Sequence, residues 1–368
     1  MDQPNPHFAT DKKRPAGRLR RQPFLIKLQS WEYWPYQLIY IPIYFYWLWL
    51  SLRARSLFFF SLANPAIPLG GLMGESKFAI LQLFPEELIP KTVLIRSATP
   101  LASVLLQIEA KGISFPLIAK PDIGERGFLV EKIATPQQLL EYIFAHRVDI
   151  IVQEYIDFPE EISVLYYRFP EQAQGHITSV TLKEFLQVRG DGHSTLQQLI
   201  LDYPRALLQW ERLSREYCDR MQEVIPAGEV LILVPIGNHS RGATFLNGNH
   251  LIDEALVAAF DQISHRVEGI YFGRFDLRCK NIGSLRRGED FCILELNGVK
   301  AEPTHIYEPG YSIWKAYSFL FRQWKIIYQL SRANRRRGYE FMTLREVVET
   351  IMGFHRYRRL AKAQVANG

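Results

Sequence analysis

The sequence predicts an α+β fold in which two α/β subdomains follow an aromatic segment and precede a basic helical extension. Three observations support this prediction. Short apolar strand patterns alternate with a helical pattern through residues 115–165. A second strand-rich stretch, interrupted by glycine turns, covers residues 176–312. An uncharged aromatic run precedes both stretches, and a basic helical extension covers residues 313–368.

The composition is that of an ordinary globular chain with one unusual feature. Hydrophobic residues make up 48% of the 368 residues, whereas the aromatic share of 13% is high. Cys218, Cys279 and Cys292 are odd in number and form no closely spaced pair, so we expect a reducing compartment and no disulfide framework. No signal-peptide pattern is evident, since the first apolar run begins after residue 20.

The net charge of +6 hides a strong asymmetry along the chain. Residues 1–61 carry nine Lys or Arg and three Asp or Glu, and residues 313–368 carry twelve and three. The chain between these two segments carries 23 basic and 32 acidic residues. Basic ends can bind nucleic acid or an anionic membrane surface. We expect the membrane surface and not nucleic acid, because the basic residues flank aromatic, membrane-like sequence.

Residues 31–62 form the aromatic segment, which follows a basic tail over residues 1–30 that we predict to be disordered. The uncharged run Tyr36–Leu52 is short for a membrane span, contains Pro42 and has basic residues on both sides. We predict a monotopic, membrane-associated segment with both ends in the cytosol. A buried aromatic helix, packed on the body of the protein or at a dimer contact, is the alternative.

The elements of the two subdomains are predicted from hydrophobic periodicity and turn residues. In the first subdomain, residues 63–160, strand patterns lie at about 92–95, 116–121, 127–132 and 149–154, and helical patterns at 78–83, 101–111 and 136–146. In the second subdomain, residues 161–312, we predict a strand at 161–167, a helix at 194–201 with Ser194 or Thr195 as its cap, and a hairpin at 283–288.

Lys120 ends an apolar strand, and its ammonium group would be costly to bury alone. We therefore expect it to face a cleft that holds an anion. The turn that follows contains Gly124 and Gly127, which allow backbone N–H groups to approach phosphate oxygens closely. The pattern favours a polyphosphate ligand, and a strand-end lysine before an ordinary hairpin is the alternative.

Asp276, Glu295 and Asn297 form a candidate magnesium site. Glu295 and Asn297 are two residues apart in a strand pattern, so they share one face of a sheet. The predicted hairpin would bring Asp276 beside them on the partner strand. Three oxygen donors on one face suit Mg2+, which binds carboxylates together with substrate phosphates. A polar, solvent-facing sheet edge is the alternative.

An extended connector follows Gln153 and lies between Glu154 and Glu161. Backbone groups of such a connector can bind an adenine, and a carboxylate beside it can bind a ribose. Taken alone, this pattern is not specific.

In their order along the chain, these segments resemble the ATP-grasp superfamily of carboxylate–amine ligases over roughly residues 75–300. The pattern of D-alanine–D-alanine ligase and cyanophycin synthetase is the most similar. Glu75-Ser-Lys77 resembles the entry to the nucleotide-binding half, which implies that Lys77 binds phosphate. Phe115–Val130 resembles the second lysine strand and the glycine-rich lid. The resemblance implies further nucleotide contacts, from Lys120, Gly124, Gly127, Gln153, Glu154, Ile156 and Glu161.

The second half of the resemblance concerns the catalytic and metal-binding residues. Asn238–Gly242 is very like a segment of cyanophycin synthetase, which implies a catalytic role for Arg241. Gly273–Asp276 resembles the site of the transition-state arginine, here Arg274, and of the first metal-binding aspartate. Glu295 and Asn297 would complete a site for one or two Mg2+ ions.

The resemblance implies an ADP-forming enzyme that uses ATP and Mg2+ to join a carboxylate to an amine through an acylphosphate. The family usually opens with a Rossmann-like domain that helps to bind the acceptor, whereas this chain has the aromatic segment there. The substrates of the relatives therefore cannot be carried over. We predict a cytoplasmic enzyme, peripheral on the inner face of the cell membrane, that acts on small-molecule or lipid-linked carboxylate and amine substrates. The alternatives are a soluble peptide or amino-acid ligase, which could be a homodimer, and a non-catalytic ATP-binding scaffold.

Overall fold

The computed structural model describes residues 23–97, 99–124 and 127–362. The described residues within 1–34 and 187–233 form one compact unit, and those within 35–186 and 234–368 form a second. The predicted tail over residues 1–22 lies outside the described residues. The α+β fold class is confirmed, because helices and strands are both well represented in the second unit.

The helices and strands are numbered in chain order. The helices are α1 (Pro23–Gln29), α2 (Tyr36–Ile39), α3 (Ile41–Ala54), α4 (Lys77–Leu81), α5 (Leu101–Ala110), α6 (Pro136–Ala145), α7 (Leu196–Asp202), α8 (Pro204–Leu207), α9 (Trp210–Glu216), α10 (Glu254–His265), α11 (Ile282–Arg286), α12 (Ile313–Arg336) and α13 (Leu344–Lys362). The strands are β1 (Thr92–Ile95), β2 (Leu117–Pro121), β3 (Glu131–Ile133), β4 (Ile150–Glu154), β5 (Glu160–Tyr167), β6 (His176–Glu184), β7 (Leu186–Arg189), β8 (Val230–Val234), β9 (Thr244–Asn247), β10 (Phe272–Cys279) and β11 (Phe291–Asn297).

The smaller unit contains α1, the short helices α7 to α9 and most of the β7–β8 pair. Thr195 caps α7 in a capping box with Gln198, which confirms the predicted helix and its cap. Helix α1 corrects the prediction of disorder through residue 30. Its proline stands at the first helical position, where the missing N–H has no cost, and apolar residues follow it.

The second unit contains two antiparallel sheets. The first has the order β1-β4-β2-β3, and its apolar side packs on α5 and α6 through Val104, Ile108, Leu139 and Tyr142. Predicted strands 92–95, 116–121 and 149–154 are confirmed to within a residue. The predicted strand 127–132 is wrong for its first residues, because Gly127 and Leu129 have positive φ, which a strand cannot accommodate.

The second sheet has the order β11-β10-β5-β6-β9 and separates two hydrophobic clusters. On β5, Ile162 and Val164 pack with α10 on one face, whereas Leu165 and Tyr167 pack with α12 on the other. Helix α11 joins β10 to β11, which corrects the predicted tight hairpin at 283–288. The antiparallel pairing that the hairpin was expected to produce is nevertheless present.

The aromatic segment, residues 31–62, is built of short helices, of which α3 is the longest in this segment. One face of α3 packs against α12, where Tyr46 meets Phe321 edge-on and Leu50 is buried. The opposite face stays exposed and apolar, with Phe45 70% and Leu52 78% accessible. Within the described parts of the chain, every helix is too short or too polar to cross a bilayer.

In the predicted basic extension, residues 313–368, the structure has the helices α12 and α13, which are joined by residues 337–343. Helix α13 contacts the cores of both sheets. Val347 belongs to the cluster that α12 forms with the second sheet, and Ala361 belongs to the core of the first sheet. The hydroxyl of Tyr357 also donates to the backbone carbonyl of Asp149. Helix α13 therefore connects the two sheets of the second unit.

Asn64 links the end of the aromatic segment to β10. Its side chain is fully buried, donates to the carbonyls of Gly70 and Phe272 at 2.9 and 2.8 Å, and accepts from the backbone N–H groups of Tyr271 and Phe272 at 2.9 Å. Each of these buried backbone groups would be left unpaired by a truncated side chain.

We expect Asn64→Ala to lower the free energy of unfolding by at least about 3 kcal/mol, because several buried polar groups lose their partners. Denaturant titration followed by circular dichroism measures this loss. Asn281→Ala is the control, since it removes only the cap of α11 and should cost about 1 kcal/mol. Equal losses in the two variants would contradict the role assigned to Asn64.

Candidate functional site

Strand alternation gathers the charged residues of β10 on one face of the second sheet. Arg274, Asp276 and Arg278 occupy alternate positions, so all three point to the same side. On the neighbouring strand, Glu295 lies opposite Asp276 and Asn297 lies opposite Arg274. The predicted neighbourhood of Asp276, Glu295 and Asn297 is therefore confirmed.

A β-bulge in β11 sets this register. Leu277 pairs with Ile293 whereas Asp276 pairs with Glu295, so Leu294 is the extra residue. The bulge keeps Ile293 in the hydrophobic core while Glu295 turns to the polar face. It also leaves the Leu294 carbonyl available to a side chain from the first sheet.

Asp276 is the most heavily bonded carboxylate of the cleft. Arg274 binds both of its oxygens at 3.0 Å, Asn297 donates to it at 3.1 Å, and Ser163 donates a further hydrogen bond. The Lys183 ammonium lies 3.6 Å away. Burial would raise the pKa of Asp276, but the charges of Arg274 and Lys183 and these hydrogen bonds outweigh it and hold the pKa well below its usual range.

Glu295 and Asn297 keep oxygen atoms open to a ligand. Among the residues that the structure describes, no donor bonds to the Glu295 carboxylate and none bonds to the amide oxygen of Asn297. No group of three His, Cys, Asp or Glu side chains in the described chain could hold a metal by itself. Two carboxylates and an amide fit Mg2+ only if a phosphate ligand supplies further oxygens, as Mg2+ sites usually require.

Two lysines of the first subdomain, the buried Lys120 and the partly buried Lys77, face these acids. The Lys120 ammonium lies 3.0 Å from Oε1 of Gln153 and 3.4 Å from the Leu294 carbonyl, so it connects the two sheets. The Lys77 ammonium donates to the carbonyl of Gly124 in the glycine turn. Both predicted phosphate-binding lysines therefore lie in the same cleft as Glu295.

The pKa values of these two lysines depend on their burial and on the neighbouring charges in the cleft. Burial lowers the pKa of Lys120 to about 8, which Glu295 partly opposes and Lys77 reinforces. Burial also lowers the pKa of Lys77, with Lys300 acting in the same direction and Glu295 against it. Because the two ammonium groups disfavour each other, an anion between them would raise both pKa values.

Glu161 lies beside the same cluster and is held by cations. Lys183 approaches it at 3.1 Å and Arg278 at 3.4 Å. A Cβ atom at Gly237 would lie 2.3 Å from a Glu161 carboxylate oxygen, so a larger residue there would displace the carboxylate. The predicted ribose-binding carboxylate is thus anchored at the edge of the cleft.

The connector residues have separate structural roles. The Gln153 side chain is buried and joins Lys120 to Thr92, so it positions the lysine. The backbone N–H of Glu154 donates to the Lys91 carbonyl at 2.9 Å. The carbonyl of Ile156 accepts from Arg278 at 2.8 Å.

The glycine turn is fastened to the second subdomain. Gly127 has φ of 66°, and a Cβ atom there would collide with the Asn238 side chain. Arg241 reaches the Gly127 carbonyl at 3.5 Å. Glu125 and Arg126 of the same turn lie outside the described residues, so the predicted lid is described only at Gly124 and from Gly127 onward.

Several charged groups of the cleft are not among the predicted site residues. Lys183, Arg278 and the ion pair between Glu75 and Lys300 all belong to the cleft. Arg278 could have been found, because it continues the alternation of Arg274 and Asp276. Lys183 could not, since its place beside Asp276 depends on the pairing of β5 with both β6 and β10.

We expect inorganic tripolyphosphate to bind the full chain about ten-fold more weakly at pH 9 than at pH 7, because Lys120 loses its proton as the pH rises through about 8. Calorimetric titration measures the affinity. In Lys120→Arg the cation at position 120 stays charged, so that variant should show a smaller pH dependence, limited to the contributions of Lys77 and of the ligand itself. Identical pH profiles for the two proteins would contradict the role of Lys120.

No family model matches the chain, and no curated protein matches it. Among solved structures, it is similar to D-alanine–D-alanine ligase from Bacillus anthracis, at 13% identity over 74% of this chain and 71% of that one, with a TM-score of 0.41. VanG D-Ala:D-Ser ligase from Enterococcus faecalis matches at 16% identity over 70% and 63%, with a TM-score of 0.37. A bifunctional glutathione synthetase from Pasteurella multocida matches at 15% identity and a TM-score of 0.37.

The match to the glutathione synthetase covers 67% of this chain but only 36% of that one. These three proteins are named as ligases or as a synthetase. With every TM-score below 0.5, a function for this chain has to follow from the chemistry of its cleft and not from these similarities.

Proposed function

We propose that this chain is an ATP-dependent ligase that joins a carboxylate to an amine through an acylphosphate. The observation that carries the proposal is the meeting of Lys77 and Lys120 from one subdomain with Asp276, Glu295 and Asn297 from the other. Buried ammonium groups suit the phosphates of ATP, and the open oxygens of Glu295 and Asn297 suit the Mg2+ that accompanies them. The subdomain boundaries at 63–160 and 161–312 are part of this proposal.

In the proposed nucleotide pose, the adenine lies at the connector. The Ile156 N–H makes no hydrogen bond among the described residues, which fits an adenine acceptor nitrogen. Glu161 would receive the ribose hydroxyls, and the backbone of Gly124 and Gly127 would cover the phosphates. Bound Mg2+ would neutralise charge on the phosphate oxygens.

The proposed reaction has two steps. An oxygen of the substrate carboxylate attacks the γ-phosphorus, the bond to ADP breaks, and an acylphosphate forms. Arg274 stabilises the charge on the transferring phosphoryl group, and Arg241 lies at the lid side of the same cleft. The amine then attacks the acyl carbon, phosphate leaves, and the nitrogen loses a proton. Closure of the lid would exclude water, which would otherwise hydrolyse the acylphosphate.

We further propose that the substrate is amphiphilic or lipid-linked and that the enzyme works at the cytosolic face of the membrane. The supporting observation is an apolar stripe on α2 and α3. Its members are spaced three or four residues apart, so they lie on one helix face, and each is more than 40% exposed. The apolar stripe consists of Leu38, Ile41, Phe45, Leu48, Trp49 and Leu52.

Cations border the apolar stripe, as an anionic surface would require. Arg53 and Arg55 follow it directly, and the Arg53 guanidinium lies 4.9 Å from the Trp49 ring. Helix α12, which packs on α3, adds exposed Trp314 and Lys315. The rival interpretation is a dimer contact in a soluble peptide or amino-acid ligase.

We expect the purified protein to release ADP in a Mg2+-dependent manner when its substrates are supplied as amino-acid mixtures or as lipid-extract fractions. Glu295→Gln should lower this rate at least about 100-fold, because a metal-binding charge is lost. Glu289→Gln removes an exposed carboxylate from the turn before β11 and should leave the rate unchanged. Equal rates in both variants would favour the non-catalytic scaffold.

We expect the protein to co-sediment with vesicles that contain phosphatidylserine. Phe45→Glu combined with Leu52→Glu should weaken partitioning at least about ten-fold, because two exposed apolar groups become charged. Phe144→Glu, a change of similar exposure on α6, should have no effect. These substitutions are preferable to deletion of residues 1–61, which would remove the buried Phe59 and Phe60.

Light scattering on the same proteins separates the two interpretations of the apolar stripe. A wild-type dimer that the double substitution converts to a monomer, with no vesicle binding, would contradict the membrane proposal.

A further inference from the structure

Glu302 brings a carboxylate close to Arg274. It lies in the loop after β11, and its backbone carbonyl accepts from the Arg274 guanidinium at 3.4 Å. One carboxylate oxygen accepts from the Tyr40 hydroxyl, and the other accepts from the Tyr307 hydroxyl at 2.9 Å. The carboxylate is thus fixed by two neutral donors beside the arginine that is proposed to act on the phosphoryl group.

The charge of Glu302 has no cation within ion-pairing distance among the described residues. The Arg274 guanidinium interacts with Glu302 electrostatically but makes no ion pair with its carboxylate, because Nε and Nη2 bind Asp276 and Nη1 binds the Glu302 backbone carbonyl. A partly buried carboxylate is costly without a compensating charge. Each carboxylate oxygen can accept more than one hydrogen bond, so Glu302 retains capacity for a further donor. An ammonium group supplies both the missing charge and the donors.

Tyr40 connects this carboxylate to the aromatic segment. It lies in the turn between α2 and α3, and its ring centre is 6.5 Å from that of Tyr36 and 6.1 Å from that of Tyr44. Tyr36 and Tyr44 are 43% and 45% exposed. A row of aromatic rings therefore leads from Glu302 to the surface that carries the apolar stripe.

We propose that Glu302, held by Tyr40 and Tyr307, binds the ammonium head of the amine substrate, and that Tyr36 and Tyr44 contact an apolar chain on that amine. The inference rests on the proposed ligase function and specifies its second substrate as an amphiphilic primary amine. The aromatic segment then contributes a substrate-positioning residue, in the place where the resembled ligases have a separate domain.

Calorimetric titration of the full chain with n-octylammonium chloride and with 1-octanol tests the ammonium half of the proposal. Wild type should prefer the ammonium compound, and Glu302→Gln should weaken its binding at least about ten-fold without affecting the alcohol. The Gln side chain can still bond to both tyrosines, so the fold should persist. Glu308→Gln, in the same loop and bonded to the Asn247 backbone, is the matched control and should bind as wild type does.

The chain-length dependence tests the apolar half. In wild type, octylammonium should bind more tightly than ethylammonium, and Tyr44→Ser should reduce that ratio several-fold because it removes exposed ring surface. Tyr44 is far enough exposed that this variant should fold even if Glu302 variants do not.

Equal affinity of wild type for octylammonium and octanol would overturn the inference. So would a Glu302→Gln protein with unchanged ammonium binding and only a lower melting temperature, which would show that Glu302 merely anchors the aromatic segment. Titration of the same samples with Mg·ATP distinguishes a failure of the proposed ligase function from a failure of the ammonium site. If the wild-type protein does not bind Mg·ATP, the result counts against the ligase function and not against the ammonium site.

Discussion

The ion pairs of Asp276 with Arg274 and Lys183 are the interaction on which the cleft depends. Lys77, Lys120, Lys183 and Arg274 crowd cations into a small, largely buried volume, and each would be costly there without nearby carboxylates. The register of β10 against β11 supplies those carboxylates. The bulge at Leu294 contributes to the same charge arrangement. It turns Glu295 to the polar face and presents the Leu294 carbonyl to Lys120.

Helices behind the sheets maintain this geometry. Helix α12 covers the second sheet, α3 packs on α12, and α13 contacts the cores of both sheets. A separation of the two sheets would break the contacts of α13, so this helix opposes opening of the cleft. The described part of the glycine turn lies against Asn238 at Gly127, whose carbonyl accepts from Arg241 at 3.5 Å.

The proposed chemistry combines three regions with different charge. Lysines and arginines suit the anionic phosphates, the open oxygens of Glu295 and Asn297 suit a divalent cation, and the Glu302 carboxylate, which makes no ion pair among the described residues, suits an ammonium group. Apolar and aromatic surface continues outward from Tyr40. This order of environments fits an amphiphile whose polar head reacts in the cleft while its apolar chain stays at the surface.

Local sequence patterns are enough to predict several strands and the shared face of two residues of the proposed site. Periodicity located β1, β2, β4 and β5 closely, and the two-residue spacing of Glu295 and Asn297 fixed their common face, because both depend on neighbouring residues alone. Other features depend on contacts between distant parts of the chain, which local sequence patterns do not contain. The position of Lys183 beside Asp276 depends on the pairing of β5 with both β6 and β10. The hydrogen bond between Tyr40 and Glu302 joins residues that are 262 positions apart in the chain. The face of α3 that stays exposed is defined by the packing of its other face on α12.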